Sequence, residues 1–193
     1  MLIEQTASIR IALIIGISTA FLNCLRNPYD PKASVSIPIV INEFMASNTG
    51  GDPEVQIFDE YGESDDWIEL YNAGENPINL SGLYLSDDST DLLKFALPNA
   101  IIPSHGCCVI WADNQTAQGN NHANFKLDAF AGDEIILSVI GGKQIDVIRF
   151  LAASPNPESR LPDKSYGRST DGSATWCRQQ APTPGSENSG CWE

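Results

Sequence analysis

The chain has 193 residues and a formal net charge of -14, with 11 basic and 25 acidic side chains. Such a charge repels phosphate backbones and anionic lipid headgroups, so nucleic acid is excluded as the main partner and a membrane is expected only through a lipid anchor. A hydrophobic fraction of 42% is enough for a packed core, which excludes global disorder. The length suits one domain of about 150 residues with flanking segments.

The N-terminal segment, residues 1–23, has the pattern of an export signal. Ile11–Leu22 is an uncharged apolar run that follows directly after Arg10. At 12 residues, this run is too short to cross a bilayer core of about 30 Å and has the length of the hydrophobic region of a signal peptide. The alternatives are a buried helix and a short membrane anchor. We therefore predict export.

A cysteine, Cys24, comes next, and its position resembles the lipoprotein signal of bacteria, in which cleavage leaves a diacylated N-terminal cysteine. Asn23 stands where that signal usually has Gly, Ala or Ser. The resemblance implies lipidation at Cys24 and a place in the cell envelope, at the outer membrane or the cell surface, with ordinary secretion as the alternative. Residues 24–37 are polar and contain proline, so they are predicted to form an extended tether.

Short apolar segments follow one another from residue 38 onward, and none has a helical period. Alternation in residues 67–71 places Trp67 and Glu69 on one face of a strand and Ile68 on the other. The Gly-Gly pair at 141–142 predicts a tight hairpin. The predicted strands are residues 38–45, 67–71, 83–85, 94–97, 107–112, 134–139 and 144–150, with shorter ordered segments at 165–168 and 174–176. Their spacing indicates an all-β sandwich.

Several short motifs occur in a fixed order along these segments. They are INEF at 41–44, DWIELYN at 66–72, NLSGLYLSD at 79–87, HANFKL at 122–127, GDEI at 132–135, SYGR at 165–168 and PTPG at 182–185. The chain, with these motifs in this order, resembles the lamin tail domain family in a bacterial, exported form. The resemblance implies an immunoglobulin-like β-sandwich over residues 38–188, a fold that presents surfaces rather than chemistry.

The cysteines favour an oxidising compartment. If Cys24 carries lipid, an even number remains as disulfide candidates, namely Cys107, Cys108, Cys177 and Cys191. Neighbouring residues of a strand face opposite sides, so a bond between Cys107 and Cys108 is disfavoured. The continuous apolar run at 107–112 predicts a strand that is buried on both faces. No CxxC spacing is present, which disfavours zinc.

Two acidic groups lie in predicted loops. The first group is Asp59, Glu60, Glu63, Asp65 and Asp66, and the second is Asp87, Asp88 and Asp91. Loops cluster at the ends of a sandwich, and if both groups converge at one end, their oxygens suit Ca²⁺. The EF-hand pattern is absent, and solvated acidic loops explain the same residues. No metal ligand is assigned from the sequence.

No catalytic set is recognised, and neither catalytic residues nor cofactors are predicted. The GxSxG, HExxH and P-loop patterns are all absent, and His122 is interpreted as a structural histidine. The predicted function is a non-catalytic envelope module that binds a protein or an envelope polymer. The alternative is an accessory module that binds Ca²⁺ or carbohydrate, the latter through Tyr61, Tyr84 and Trp111 if these aromatic side chains share one face.

Overall fold

The computed structural model describes residues 37–55, 57–151 and 162–193. The predicted signal segment, Cys24 and all but the last residue of the predicted tether lie outside the described residues. The described part contains no helix, and hence none long and apolar enough to cross a membrane. Its strands are β1 (Ile39–Met45), β2 (Trp67–Asn72), β3 (Ile78–Asn79), β4 (Leu83–Ser86), β5 (Phe95–Ala96), β6 (Ile101–Ile102), β7 (Cys107–Trp111), β8 (Gly132–Val139), β9 (Gln144–Leu151), β10 (Tyr166–Arg168) and β11 (Trp176–Arg178).

Two antiparallel sheets form the sandwich. The first has five strands in the order β11-β10-β1-β2-β7, and the second has four in the order β5-β4-β8-β9. A two-stranded ribbon of β3 and β6 accompanies them. Side chains from both sheets share one core, in which every second residue of a strand points inward. The predicted all-β sandwich is confirmed.

Aromatic and aliphatic side chains connect the two sheets across the core. Ile68 and Leu70 of β2 are fully buried there, as the predicted alternation requires. Phe44 of β1 stacks on Phe150 of β9, with 4.8 Å between ring centres. Burying a side chain of this size contributes about 1.5–3 kcal/mol. The hydrophobic effect therefore holds the sheets face to face.

A second, smaller apolar cluster lies on the opposite face of the five-stranded sheet. It contains Met45, Val55, Trp67 and Trp111. Val55 belongs to the loop before β2, so this loop covers the outer end of the sheet. Trp111 is only 9% exposed. The hypothesis that Trp111 serves an exposed aromatic platform is therefore wrong, because its ring is used in packing.

A β-bulge in β1 is tied to the second sheet by a single ion pair. The register shifts between Ile41 and Glu43, which leaves Asn42 as the extra residue. Arg168 Nε donates to the carbonyl of Ile41 at 2.7 Å, and the amide of Ile41 donates to Asp146 Oδ2 at 3.0 Å. Arg168 Nη2 and Asp146 Oδ2 are 2.7 Å apart. Since Arg168 lies on β10 and Asp146 on β9, the pair connects the two sheets.

The predicted strands all lie within a residue or two of observed ones, whereas β3 and β6 were not predicted. The hairpin after β8 is confirmed, since Gly141 and Gly142 both have positive φ, at 93° and 77°. One expectation was wrong. Strand β7 is not buried throughout, because Cys107, Cys108 and Val109 are only half-buried and burial is complete at its other end. The apolar run there reflects one buried face and a second face that is partly covered.

Candidate functional site

A groove of about 590 Å³ opens between the loop before β2 and the C-terminal end of the chain. The indole of Trp192 is 58% exposed beside it. The guanidinium carbon of Arg178 lies 4.1 Å from the centre of the Trp192 ring, a cation–π contact. Lys164 adds a second cationic group, paired with Asp52 at 2.8 Å. The lining residues are Asp52, Glu54, Val55, Ile57, Lys164, Arg178, Gln180, Ala181, Pro182 and Trp192.

The C-terminal end is held at this groove by a disulfide and by backbone pairing. Cys177 of β11 bonds to Cys191. Gln179 and Cys191 form an antiparallel bridge, and the amide of Trp192 donates to the carbonyl of Arg178 at 2.9 Å. Trp192 is therefore placed by its neighbours rather than by burial of its own ring, which leaves the ring available for contact.

The groove offers both aromatic and hydrogen-bonding surface to a ligand. An indole face and a guanidinium supply stacking, apolar contact and hydrogen-bond donors to a ligand. The Nε atom of Arg178 is buried and has no hydrogen-bond partner among the described residues. Of the two cationic side chains in the lining, Lys164 is paired with Asp52, so the Arg178 guanidinium is the group that offers donors to an acidic or polyhydroxylated ligand.

Two fully buried carboxylates lie on the outer face of the five-stranded sheet, beneath the segment at 181–188. The backbone amide of Gly185 donates to Glu69 at 2.7 Å, and the Thr183 hydroxyl donates to Glu43 at 2.8 Å. Asn42 donates its side-chain amide to Glu69 at 2.8 Å. The carboxylates thus act as hydrogen-bond acceptors that hold the C-terminal segment on the sheet.

Burial controls the titration of this region. Burial, opposed by the hydrogen bonds that Glu69 accepts, raises the pKa of Glu69 to about 7. Burial first, and then the neighbouring charge of Glu69, raises the pKa of the Cys107 thiol. Cys107 is thereby kept protonated, the opposite of what a nucleophilic cysteine requires. Cys107 lines a smaller cavity of about 450 Å³ together with Tyr71 and His105, and its thiol is not an activated nucleophile there.

Five carboxylates lie together in the loops beyond the Met45 end of β1. We call this set the acidic cluster; its members are Asp59, Glu60, Glu63, Asp65 and Asp113. His122 is fully buried among them. Its Nδ1 is hydrogen-bonded to Asp113, and its Nε2 lies 3.2 Å from Glu60. Burial lowers the pKa of His122, but these hydrogen bonds outweigh it and the pKa is raised. The interpretation of His122 as a structural histidine agrees with these contacts.

The side chains of the second acidic group form contacts within their own loop. Asp87 pairs with Lys94 at 2.6 Å. Asp88 accepts from the amide and hydroxyl of Thr90, both at 2.7 Å, and Asp91 lies in the same turn. Among the described residues, the sets of ligand atoms close enough to share a metal ion draw on the acidic cluster and His122 alone. Asp113, which the sequence did not single out, joins Asp59 there.

The four disulfide candidates divide into one bonded pair and two thiols. Cys177 and Cys191 form the bond, while Cys107 and Cys108 are free. The residues that contact one another at these sites are not neighbours in the sequence. In the sequence, only the even number of cysteines pointed to a disulfide. Trp192 and Arg178 were missed because a single aromatic near a chain end has no pattern of its own.

Two antiparallel sheets that face each other across one core define an immunoglobulin-like β-sandwich. A comparison with protein families matches residues 32–151 to the Lamin Tail Domain, which is well over half of the chain. The chain belongs to the lamin tail domain family, a family of non-enzymatic immunoglobulin-like domains. A search of curated proteins found no match. The family resemblance read from the sequence is confirmed.

Proposed function

We propose that this protein is an exported, non-catalytic module, anchored in the cell envelope by lipid on Cys24, that binds a protein or an envelope polymer through the groove at Trp192. The observation that carries the binding role is the exposed Trp192 ring stacked on Arg178 in a groove of about 590 Å³. Trp192 and Arg178 together offer an aromatic surface and a guanidinium donor. Tryptophan and arginine side chains are enriched among the residues that dominate binding energies.

Export is supported by two features from different parts of the chain. The apolar run Ile11–Leu22 ends just before Cys24, as in a lipoprotein signal. The Cys177–Cys191 disulfide belongs to proteins of oxidising compartments.

Anchoring is tested by the variant Cys24→Ala. We expect it to lose incorporation of labelled palmitate and either to leave the membrane fraction or to fail to mature, because the proposal attaches the lipid through the Cys24 thiol. Cell fractionation and labelling provide the measurement. The control Cys108→Ala should keep the label, since that thiol lies within the sandwich. Unchanged labelling of the Cys24→Ala variant would contradict the proposal.

Binding through the groove is tested by Trp192→Ala. We expect at least a tenfold loss of affinity for isolated cell envelopes in co-sedimentation, since truncation of an aromatic anchor costs about 1.4 kcal/mol or more. Phe130→Ala is the matched control, because this ring is 87% exposed but lies outside the groove. Equal binding of wild type and the Trp192 variant would reject the groove as the binding surface.

A further inference from the structure

Asp59 carries a buried carboxylate oxygen without a partner. The residue is only 8% exposed. Its Oδ1 accepts from the amides of Tyr61 and Glu63, both at 2.8 Å, which shapes the loop. Its Oδ2 is buried and accepts no hydrogen bond from any described residue. A buried anionic oxygen is costly unless a donor or a cation neutralises it.

Two further carboxylates lie close to Asp59. Asp59, Glu63 and Asp65 each place one carboxylate oxygen within 4.8 Å of the other two. Gln118 contributes a further buried oxygen, Oε1, that lacks a partner in the described part of the chain, while its Nε2 donates to Glu63 at 2.8 Å. An unsatisfied carboxylate oxygen on Asp59, in a group of three neighbouring carboxylates, indicates a missing positive charge.

The neighbouring protein cations supply that charge only in part. Lys126 Nζ lies 3.6 Å from Asp65 and its side chain is 59% exposed, so solvent screens the pair. His122 lies beside Asp59 and Asp113, but both of its ring nitrogens are used, one on Asp113 and the other on Glu60. The oxygens of Asp59, Glu63 and Asp65 lie within 4.8 Å of one another, so these carboxylates repel each other in the absence of an added cation.

The oxygen ligands at this position favour Ca²⁺ over other metal ions. Carboxylate and amide oxygens suit Ca²⁺, which takes six to eight oxygen ligands and completes its shell with carbonyls and water. A borderline metal would use His122, but both nitrogens of that ring are already hydrogen-bonded. Glu63 is exposed, so the position can be reached from solvent.

We propose that Asp59, Glu63 and Asp65, with the amide oxygen of Gln118, form a Ca²⁺ site in the loops beyond β1. The site would join the loop before β2 to the loop after β7, two segments of distant sequence. Affinity in the range of about 10⁻⁴–10⁻³ M is typical of extracellular Ca²⁺ modules. Binding at this site does not depend on the groove or on the lipid anchor.

The test is isothermal titration of the purified protein with CaCl₂, together with a thermal melt. We expect saturable binding and a rise in Tm that NaCl at equal ionic strength does not reproduce. Glu63→Gln and Asp59→Asn should each weaken Ca²⁺ binding at least tenfold, and Asn at position 59 keeps the Oδ1 acceptor that shapes the loop. Asp91→Asn, in the second acidic group, is the matched control and should bind as wild type.

Two results would overturn this site. The first is a Tm shift of the same size in CaCl₂ and NaCl, which reduces the effect to ionic screening. The second is full Ca²⁺ affinity in Glu63→Gln, an exposed position whose substitution leaves the fold intact. Both readouts use purified protein without envelopes, so a failure here is distinguishable from a failure of the groove proposal.

Discussion

Substitution of Arg168 by alanine should lower the free energy of unfolding by about 3–5 kcal/mol, the cost of breaking a buried ion pair. Arg168 donates to the carbonyls of Ile41 and Ser173 and pairs with Asp146. Removing the guanidinium leaves the Asp146 carboxylate without its cationic partner and takes one donor from the carbonyls of Ile41 and Ser173. Because the pair also connects the two sheets, the loss acts on the whole sandwich.

Chemical denaturation measures this loss, and a second arginine provides the control. Arg149 pairs with Glu134 at 3.0 Å, but its side chain is 52% exposed. Arg149→Ala should therefore change stability by less than about 1 kcal/mol. Equal effects of the two substitutions would show that the Arg168 contacts do not hold the bulge, and would contradict the account of how the sheets are connected.

Stability should fall as pH rises from about 4.5 to about 7, and Glu69→Gln should flatten this dependence. The pKa of Glu69 is raised by burial from an ordinary value of 4.5 to about 7 in the folded chain. Between these values the folded chain binds more protons than the unfolded one, so the free energy of unfolding decreases with pH. This group alone accounts for a decrease of up to about 3 kcal/mol.

Denaturant midpoints measured across that pH range give the test. Asp66, with a pKa raised by burial to about 6, and Glu43 and His122, whose pKa values are also raised, contribute with the same sign, so part of the slope remains in the variant. Glu187→Gln, an exposed change in the same C-terminal segment, should keep the full slope. A Glu69→Gln profile parallel to the wild-type profile would show that this carboxylate titrates normally.

The strands were predictable because their signal is local. Alternation across Trp67 and Ile68 assigned the two faces of β2, and the Gly141-Gly142 pair marked the hairpin that the structure contains. Strands β3 and β6 have two residues each, too short for any period. Local patterns also failed at Trp111, because exposure depends on the loop that packs over the ring.

The candidate sites depend on contacts between distant parts of the chain. Asp59 meets Asp113 only because the loops before β2 and after β7 lie at one end of the sandwich. The acidic residues of the first loop were evident from the sequence, but the unpartnered oxygens of Asp59 and Gln118 were not. The groove likewise requires the disulfide that brings Trp192 beside Arg178.

The proposed anchored, exported state is tested most directly by the intact mass of the protein extracted from the membranes of its own cells. The account predicts a chain that begins at Cys24, carries the mass of a diacylglycerol group and lacks two hydrogens because Cys177 and Cys191 are bonded. A chain that retains the Ile11–Leu22 segment, without lipid and with Cys177 and Cys191 as free thiols, would contradict it.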